Sequence, residues 1–205
     1  MILAIETSTP NAHLAILSHE GDEVVFETRF HSDRAHNSRI FDPLASALEA
    51  ANDLTRLAVG TGPGSYSGVR VGIAIANGLA VAKGIDVVGL PSISTLFAHG
   101  LVVGDARRNA FFVAGITDHQ MTSPPEIQSA DEFRETVSSA LADGRSVASM
   151  DATPPLGITE IELLSPNATK LGILAAELDV SDQAIEPVYV REPYITKEKP
   201  KVAPG

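Results

Sequence analysis

Two carboxylates stand at matching points of two hairpin-like segments. Glu6 ends the apolar run Ile2–Ile5 and opens the polar turn Thr7-Ser8-Thr9-Pro10, while Asp105 ends Leu101–Gly104 and opens Ala106-Arg107-Arg108. Each turn leads through an Asn-Ala pair, Asn11-Ala12 or Asn109-Ala110, into a second apolar strand. The match hints at two lobes related by duplication. In such a fold the two acids would face each other across a cleft. Together with the Thr7 and Ser8 hydroxyls they could hold a metal-nucleotide. The alternative is that each acid only accepts hydrogen bonds from its own turn.

A glycine-rich loop is the second candidate. Leu57–Gly60 reads as a strand, Thr61-Gly62-Pro63-Gly64-Ser65-Tyr66-Ser67-Gly68 as a loop, and Val69–Ala82 as a helix closed by Lys83-Gly84. A strand, a tight turn and a helix N-terminus can form an anion site, because free N–H groups converge there. The detailed fingerprints are absent. No lysine stands where a P-loop needs one, Ser67 replaces the third glycine of a dinucleotide loop, and Tyr66 occupies the serine position of a nucleophile elbow. The glycines therefore serve either an anion or simply a sharp turn and close helix packing.

The helix itself is unusual. Gly68, Gly72, Ala76 and Ala80 recur every four residues and share one side, with Val69 and Ile73 beside them. Glycine inside a helix costs about 1 kcal/mol against alanine, so Gly72 and Gly78 need compensation from tight packing. That packing is against the chain's own sheet or against a partner. Arg70, Asn77 and Lys83 are the only clearly polar positions on a helix otherwise apolar nearly all round, which favours burial on more than one side. The expected partner surface is Gly68, Val69, Gly72, Ile73, Ala76 and Ala80.

Metal and nucleophile chemistry have little support. None of the six histidines is paired at helical spacing, and His36 is followed four residues later by Ile40. No cysteine is present, so disulfides, thiolate metal sites and a cysteine nucleophile are excluded.

The elements that must position these residues alternate. Three antiparallel strands precede a helical pattern at Ile40–Ala51, the strand–loop–helix unit, a strand at Ile85–Gly89 and a short helix from Pro91-Ser92 to Gly100. In the second half, a capping box at Ser129–Glu132 and a Ser165-Pro166 start announce two more helices. This is an α/β pattern. Lobes are expected at 1–100 and 101–190, with a mobile tail at 191–205 rich in Lys and Pro. The 205 residues carry 15 basic and 26 acidic side chains, a net charge of −11. Phosphate neutralisation dominates nucleic-acid affinity, so autonomous RNA binding is not expected. No apolar run reaches membrane-spanning length, and no basic residue precedes the first one, so no membrane association and a cytoplasmic location are expected.

Taken in order, ILAIETST, NAHLAIL, RAHNSRI, GTGPGSYSGVRVGIAIANGLA, DARRNAFFVA and EPVYVR resemble the bacterial TsaB (YeaZ) family over nearly the whole chain, GPGSYSGVRVGIAIA being the most specific element. The resemblance implies a two-lobed actin/Hsp70/sugar-kinase fold, each lobe beginning with a β-hairpin. It implies a non-catalytic paralogue that binds and activates TsaD. TsaD transfers a threonylcarbamoyl group to the exocyclic nitrogen of adenosine 37 in tRNAs reading ANN codons. The ATPase TsaE joins the assembly, and tRNA is met only through the complex. Docking is expected through the N-terminal lobe, with a homodimer when the chain is alone.

Departures from active members of the superfamily point the same way. The turn Glu6-Thr7-Ser8-Thr9 lacks the glycine that leaves room for nucleotide phosphate. Only the first histidine of the H-x-x-x-H metal motif of TsaD remains, at His36. A subunit that kept the fold and lost the active site is expected. It has no catalytic residue, no metal and no required cofactor, and at most a weak ATP or ADP contact at the subunit junction. Two readings compete with this one: an autonomous nucleotide-dependent transferase or kinase of the same fold, and a peptidase of the glycoprotease type.

Overall fold

Two sheets built on one plan carry the chain. The computed structural model describes residues 1–31, 39–179 and 184–191. The first sheet holds β1 (Ile2–Glu6), β2 (Asn11–Leu17), β3 (Val24–His31), β4 (Arg56–Gly60) and β5 (Asp86–Leu90), in the order β3-β2-β1-β4-β5. β1 pairs antiparallel with β2 and parallel with β4, and β4 is parallel to β5. Side-chain alternation puts Leu3, Ile5, Leu14, Ile16, Leu57 and Val59 on one face. α1 (Phe41–Ala50) and α2 (Tyr66–Lys83) cover that face. Ile2, Ala4, Ala15, Leu17, Ala58 and Val88 line the other face. Because both faces are covered, the central strands read as unbroken apolar runs.

The second sheet repeats the scheme. β6 (His99–Asp105) and β7 (Phe111–Thr117) form the antiparallel hairpin, and β10 (Val147–Ser149) and β11 (Glu162–Leu163) continue it in parallel. β8 (Gln120–Met121) and β9 (Glu126–Gln128) pair with the outer side of β7. The order β11-β10-β6-β7-β8 mirrors that of the first sheet. α3 (Ala130–Ala142) begins at the expected capping box, with the Ser129 hydroxyl accepting from the Glu132 N–H and the Glu132 carboxylate accepting from the Ser129 N–H. Its Phe133, Val137 and Ala140 pack on the second sheet.

Two of the later helix boundaries differ from expectation. The helix expected up to Gly100 is a single 3₁₀ turn, Ser92–Thr95, because β6 claims the chain from His99. The last helix, α4 (Ala168–Ala176), is capped by Asn167, whose side chain accepts from the Lys170 N–H, and not from Ser165-Pro166. α4 also crosses back: it follows the second sheet in sequence yet packs on β1, β2 and β4 of the first. Of the tail expected from 191, only Arg191 is among the described residues, and His36 lies outside them. No helix among the described residues is long and apolar enough to cross a membrane.

α4 is held at both ends by the first lobe. Arg56 Nη1 donates to the carbonyls of Ala175 (2.7 Å) and Leu178 (3.0 Å), where the C-terminal helix dipole favours a cation. At the other end, the Ala168 N–H donates to His13 Nδ1 at 3.0 Å. His13 is fully buried, with Nε2 3.4 Å from the Glu27 carboxylate. Burial, aided by Arg29 and opposed by Glu27, pushes the ring down to about 4. An accepting Nδ1 requires the neutral ring, so the geometry and the shift agree. The unfolded chain takes up a proton near the ordinary value of 6.5 and the folded chain does not. Stability from this group is therefore complete above 6.5 and lost as pH falls towards 4. The loss is at most about 3 kcal/mol, at 1.36 kcal/mol per pKa unit. Urea midpoints measured across this window should fall steeply for the wild type. His13→Asn keeps an acceptor and cannot titrate, so its fall should be shallower.

Candidate functional site

α2 is the element on which most of the site depends. Ser65 caps it, its Oγ accepting from the Gly68 N–H, and Gly84 closes it in the left-handed region at φ 65°. Its small-residue stripe faces inward. Gly68, Val69, Gly72, Ile73 and Ala76 are all buried against the first sheet, and Ala80 is half-buried at its edge. A Cβ at Gly72 would run into the Thr7 hydroxyl and touch Val59 and Ile5. Thr7 Oγ1 also donates to the Gly68 carbonyl at 2.8 Å. The stripe lets the helix lie close on its own strands, and the expectation that these residues form a partner surface is corrected accordingly.

The opposite side of α2 is open. Ser67, Ala74, Gly78 and Val81 are exposed, flanked by Arg70 and Asn77, and Val81 is 85% accessible. Val71, Ile75 and Leu79 border this face half-buried. Gly78 sits mid-helix, and among the described residues nothing outside the helix backbone comes within 4 Å of where its Cβ would stand. Among those residues its propensity cost has no return. The sequence carries this signal, since Gly78 opposes helix propensity and lies off the four-residue repeat of the inner stripe.

The two hairpin acids do not meet across open space. Glu6 is 1% exposed beneath its own turn, its Oε1 accepting from the Ser8 N–H at 2.7 Å. Oε2 makes no well-formed hydrogen bond and fills the space beside Gly60 and the Ser92 hydroxyl. Burial raises the Glu6 carboxyl above its ordinary value, opposed by its hydrogen bonding to Ser8. Asp105 makes the equivalent turn bond, accepting from the Arg107 N–H at 2.7 Å, but it faces the cleft. The expected nucleotide set is thus divided: Ser8 and Asp105 line the cleft, while Glu6 and Thr7 are engaged inside the first lobe. A buried acid with a raised pKa binds its proton more tightly than the unfolded chain does. Its contribution to stability is present below pH 4.5 and declines as pH rises through the folded value. Glu6→Gln cannot ionise, so in denaturant titrations it should match the wild type near pH 4 and exceed it increasingly above pH 5.

The cleft between the lobes has a volume of about 920 Å³. Ser8, Thr9 and Tyr66 form one wall, and Asp105, Arg107 and Asp151 the other. Arg107, Arg108 and Asn109 all have positive φ, 56–66°, which folds the second hairpin turn tightly. Asp151 Oδ2 accepts from the Asp105 N–H at 2.7 Å. Burial, with the Asp105 charge adding to it, raises the Asp151 carboxyl above its ordinary value. The glycine loop closes the first wall through backbone contacts: the Ser65 N–H donates to the Ser8 carbonyl at 2.6 Å and the Ser92 N–H to the Gly62 carbonyl at 2.6 Å. Gly64 passes so close to Ser8 that a Cβ would collide with its carbonyl. Those loop glycines serve close packing between the turn and the helix. Among the described residues no three His, Asp or Glu side chains converge as a metal site requires.

Two sheets of five and six strands with matching strand order, a hairpin at the head of each lobe and an interlobe cleft define the actin/Hsp70/sugar-kinase class of fold. A family model described as TsaD, tRNA N6-adenosine threonylcarbamoyltransferase, matches residues 28–138, more than half of the chain. The chain belongs to this family, on its TsaB (YeaZ) branch. The TsaB protein of Haemophilus influenzae is 26% identical over 97% of both chains. That of Bacillus subtilis is 36% identical over 48% of this chain and 44% of its own length. An uncharacterized protein of Mycobacterium tuberculosis is 29% identical over 94% of this chain and 92% of its own. Among solved structures, a Pseudomonas aeruginosa protein described as similar to peptidase YeaZ superposes with TM-score 0.70 at 18% identity, covering 93% of this chain and 99% of that one. The YeaZ structure from the same organism gives 0.60 at 19%, covering 85% and 90%. These structures speak for the fold.

Proposed function

We propose that the chain is a non-catalytic subunit of tRNA threonylcarbamoyladenosine biosynthesis, the process that names its curated relatives. In this reading it binds and activates TsaD, through which tRNA is met and adenosine 37 is modified. TsaE joins the larger assembly. The observation that carries the docking role is the outer face of α2, where Ser67, Ala74, Gly78 and Val81 leave small and apolar surface uncovered and a mid-helix glycine without a purpose among the described residues. Close approach of a second helix would supply that purpose. The same face, self-complementary about a two-fold axis, accounts for a homodimer when the partner is missing.

Loss of catalysis is supported by the fate of the first hairpin. Glu6 is buried beneath its turn and Thr7 is bonded to α2, so neither reaches a nucleotide in the cleft. ATP or ADP contact is then weak and needs the subunit junction. An autonomous transferase or kinase would instead bind magnesium–ATP in its own cleft. Isothermal titration of the isolated chain with magnesium–ATP separates the two. No heat at micromolar concentrations is expected, and tight binding with turnover would replace this reading by the autonomous one.

A further inference from the structure

The motif EPVYVR, near the end of the described chain, crosses between the two lobes and touches both. Ile185 fills the space beside Gly89 on β5. The Val188 N–H donates to the Thr61 carbonyl at 2.7 Å, at the start of the glycine loop. Tyr189 stacks on Tyr66 in the first turn of α2, ring centroids 5.3 Å apart and planes 28° apart. Its hydroxyl accepts from Arg70 Nε at 2.8 Å, and the Arg70 guanidinium lies 4.1 Å over the Tyr66 ring. These contacts anchor the segment to the first lobe. Val190 then enters the second lobe's core beside Ile93, Phe112 and Met150. Arg191 Nη2 donates to the Arg107 carbonyl on the second hairpin turn.

We propose that residues 184–191 form an interlobe latch that fixes the opening of the cleft, with the Tyr66–Arg70–Tyr189 clasp as its catch. The arrangement suits that role. Consecutive residues Tyr189 and Val190 reach opposite lobes. The segment also forms part of the cleft lining, so any change in its seating changes the cleft. The clasp lies at the protein surface, where Tyr66 is 45% exposed. A stacked aromatic pair with a cation over it, open to solvent, holds an exposed segment only weakly. That is little enough to let it open. The catch lies on α2 and the segment ends on the second lobe, so the latch ties the helix carrying the outer face to that lobe.

The chain contains no cysteine, so two spin labels can be placed cleanly at Glu49→Cys on α1 and Ser138→Cys on α3. Pulsed EPR on the full chain should give one narrow interlobe distance distribution. Tyr189→Ala should broaden it and add a longer-distance component, and Tyr189→Phe, which keeps the stack and loses the bond to Arg70, should fall between. Arg70→Met breaks the catch from an exposed position and should reproduce the broadening with a cooperative melt, which covers the case in which Tyr189→Ala fails to fold. Unchanged distributions in folded Arg70→Met and Tyr189→Phe would overturn the latch.

Discussion

Gly78→Arg should leave the chain folded and weaken its association with TsaD at least 100-fold. The position is mid-helix and exposed, and among the described residues an added Cβ meets nothing within 4 Å. Arginine is the better helix former, which should raise the stability of the isolated chain by roughly 0.5–1 kcal/mol. If α2 docks through this face, the same side chain stands between two helices where there is room only for a hydrogen. A 100-fold loss corresponds to about 2.7 kcal/mol, well within the cost of a misplaced bulky charge in an interface core. Surface plasmon resonance against immobilised TsaD reads the association, and a urea melt of the isolated chain reads the stability. Binding equal to wild type would move the docking face elsewhere.

Gly72→Leu, only six residues away, should do the opposite and prevent folding. Its Cα faces Thr7, Val59 and Ile5, and Thr7 is itself tied to the Gly68 carbonyl. Four added carbons have no place unless α2 lifts off the sheet, a cost of roughly 3 kcal/mol or more on overpacking alone. Exposure of the face holding Leu3, Ile5, Leu57 and Val59 follows. Circular dichroism should show a non-cooperative melt or insoluble protein, whereas a folded Gly72→Leu would place the stripe outside the core. The two substitutions together tell the inner side of α2 from its outer side, which a helical repeat of small residues cannot do.

The contrast separates what neighbouring residues specify from what distant ones do. Strands β1, β2, β6 and β7 could be read because both of their faces are covered, leaving runs such as Ile2–Ile5 with no polar interruption. The duplication could be read because each hairpin needs an acid to bond the second N–H of its turn, and Glu6 and Asp105 do so through Ser8 and Arg107. The burial of Glu6 could not, since it depends on Gly60 and Ser92, far along the chain and brought in by β4 and the 3₁₀ turn. The crossing of α4 back to the first lobe was equally hidden. His13 and Arg56, which grip its two ends, lie more than a hundred residues before it and carry no local signature. EPVYVR stood out as a motif, but its bridging role rests on contacts from Tyr189 to α2 and from Val190 to the second core.

Reconstitution of tRNA modification from purified subunits tests the account most directly. With TsaD, TsaE, tRNA and the threonylcarbamoyl donor present, modified adenosine should accumulate only when this chain is added. The chain alone should form none, and Gly78→Arg should fail to replace it. Modified tRNA made by this chain without TsaD, or made equally well by TsaD without this chain, would contradict the account.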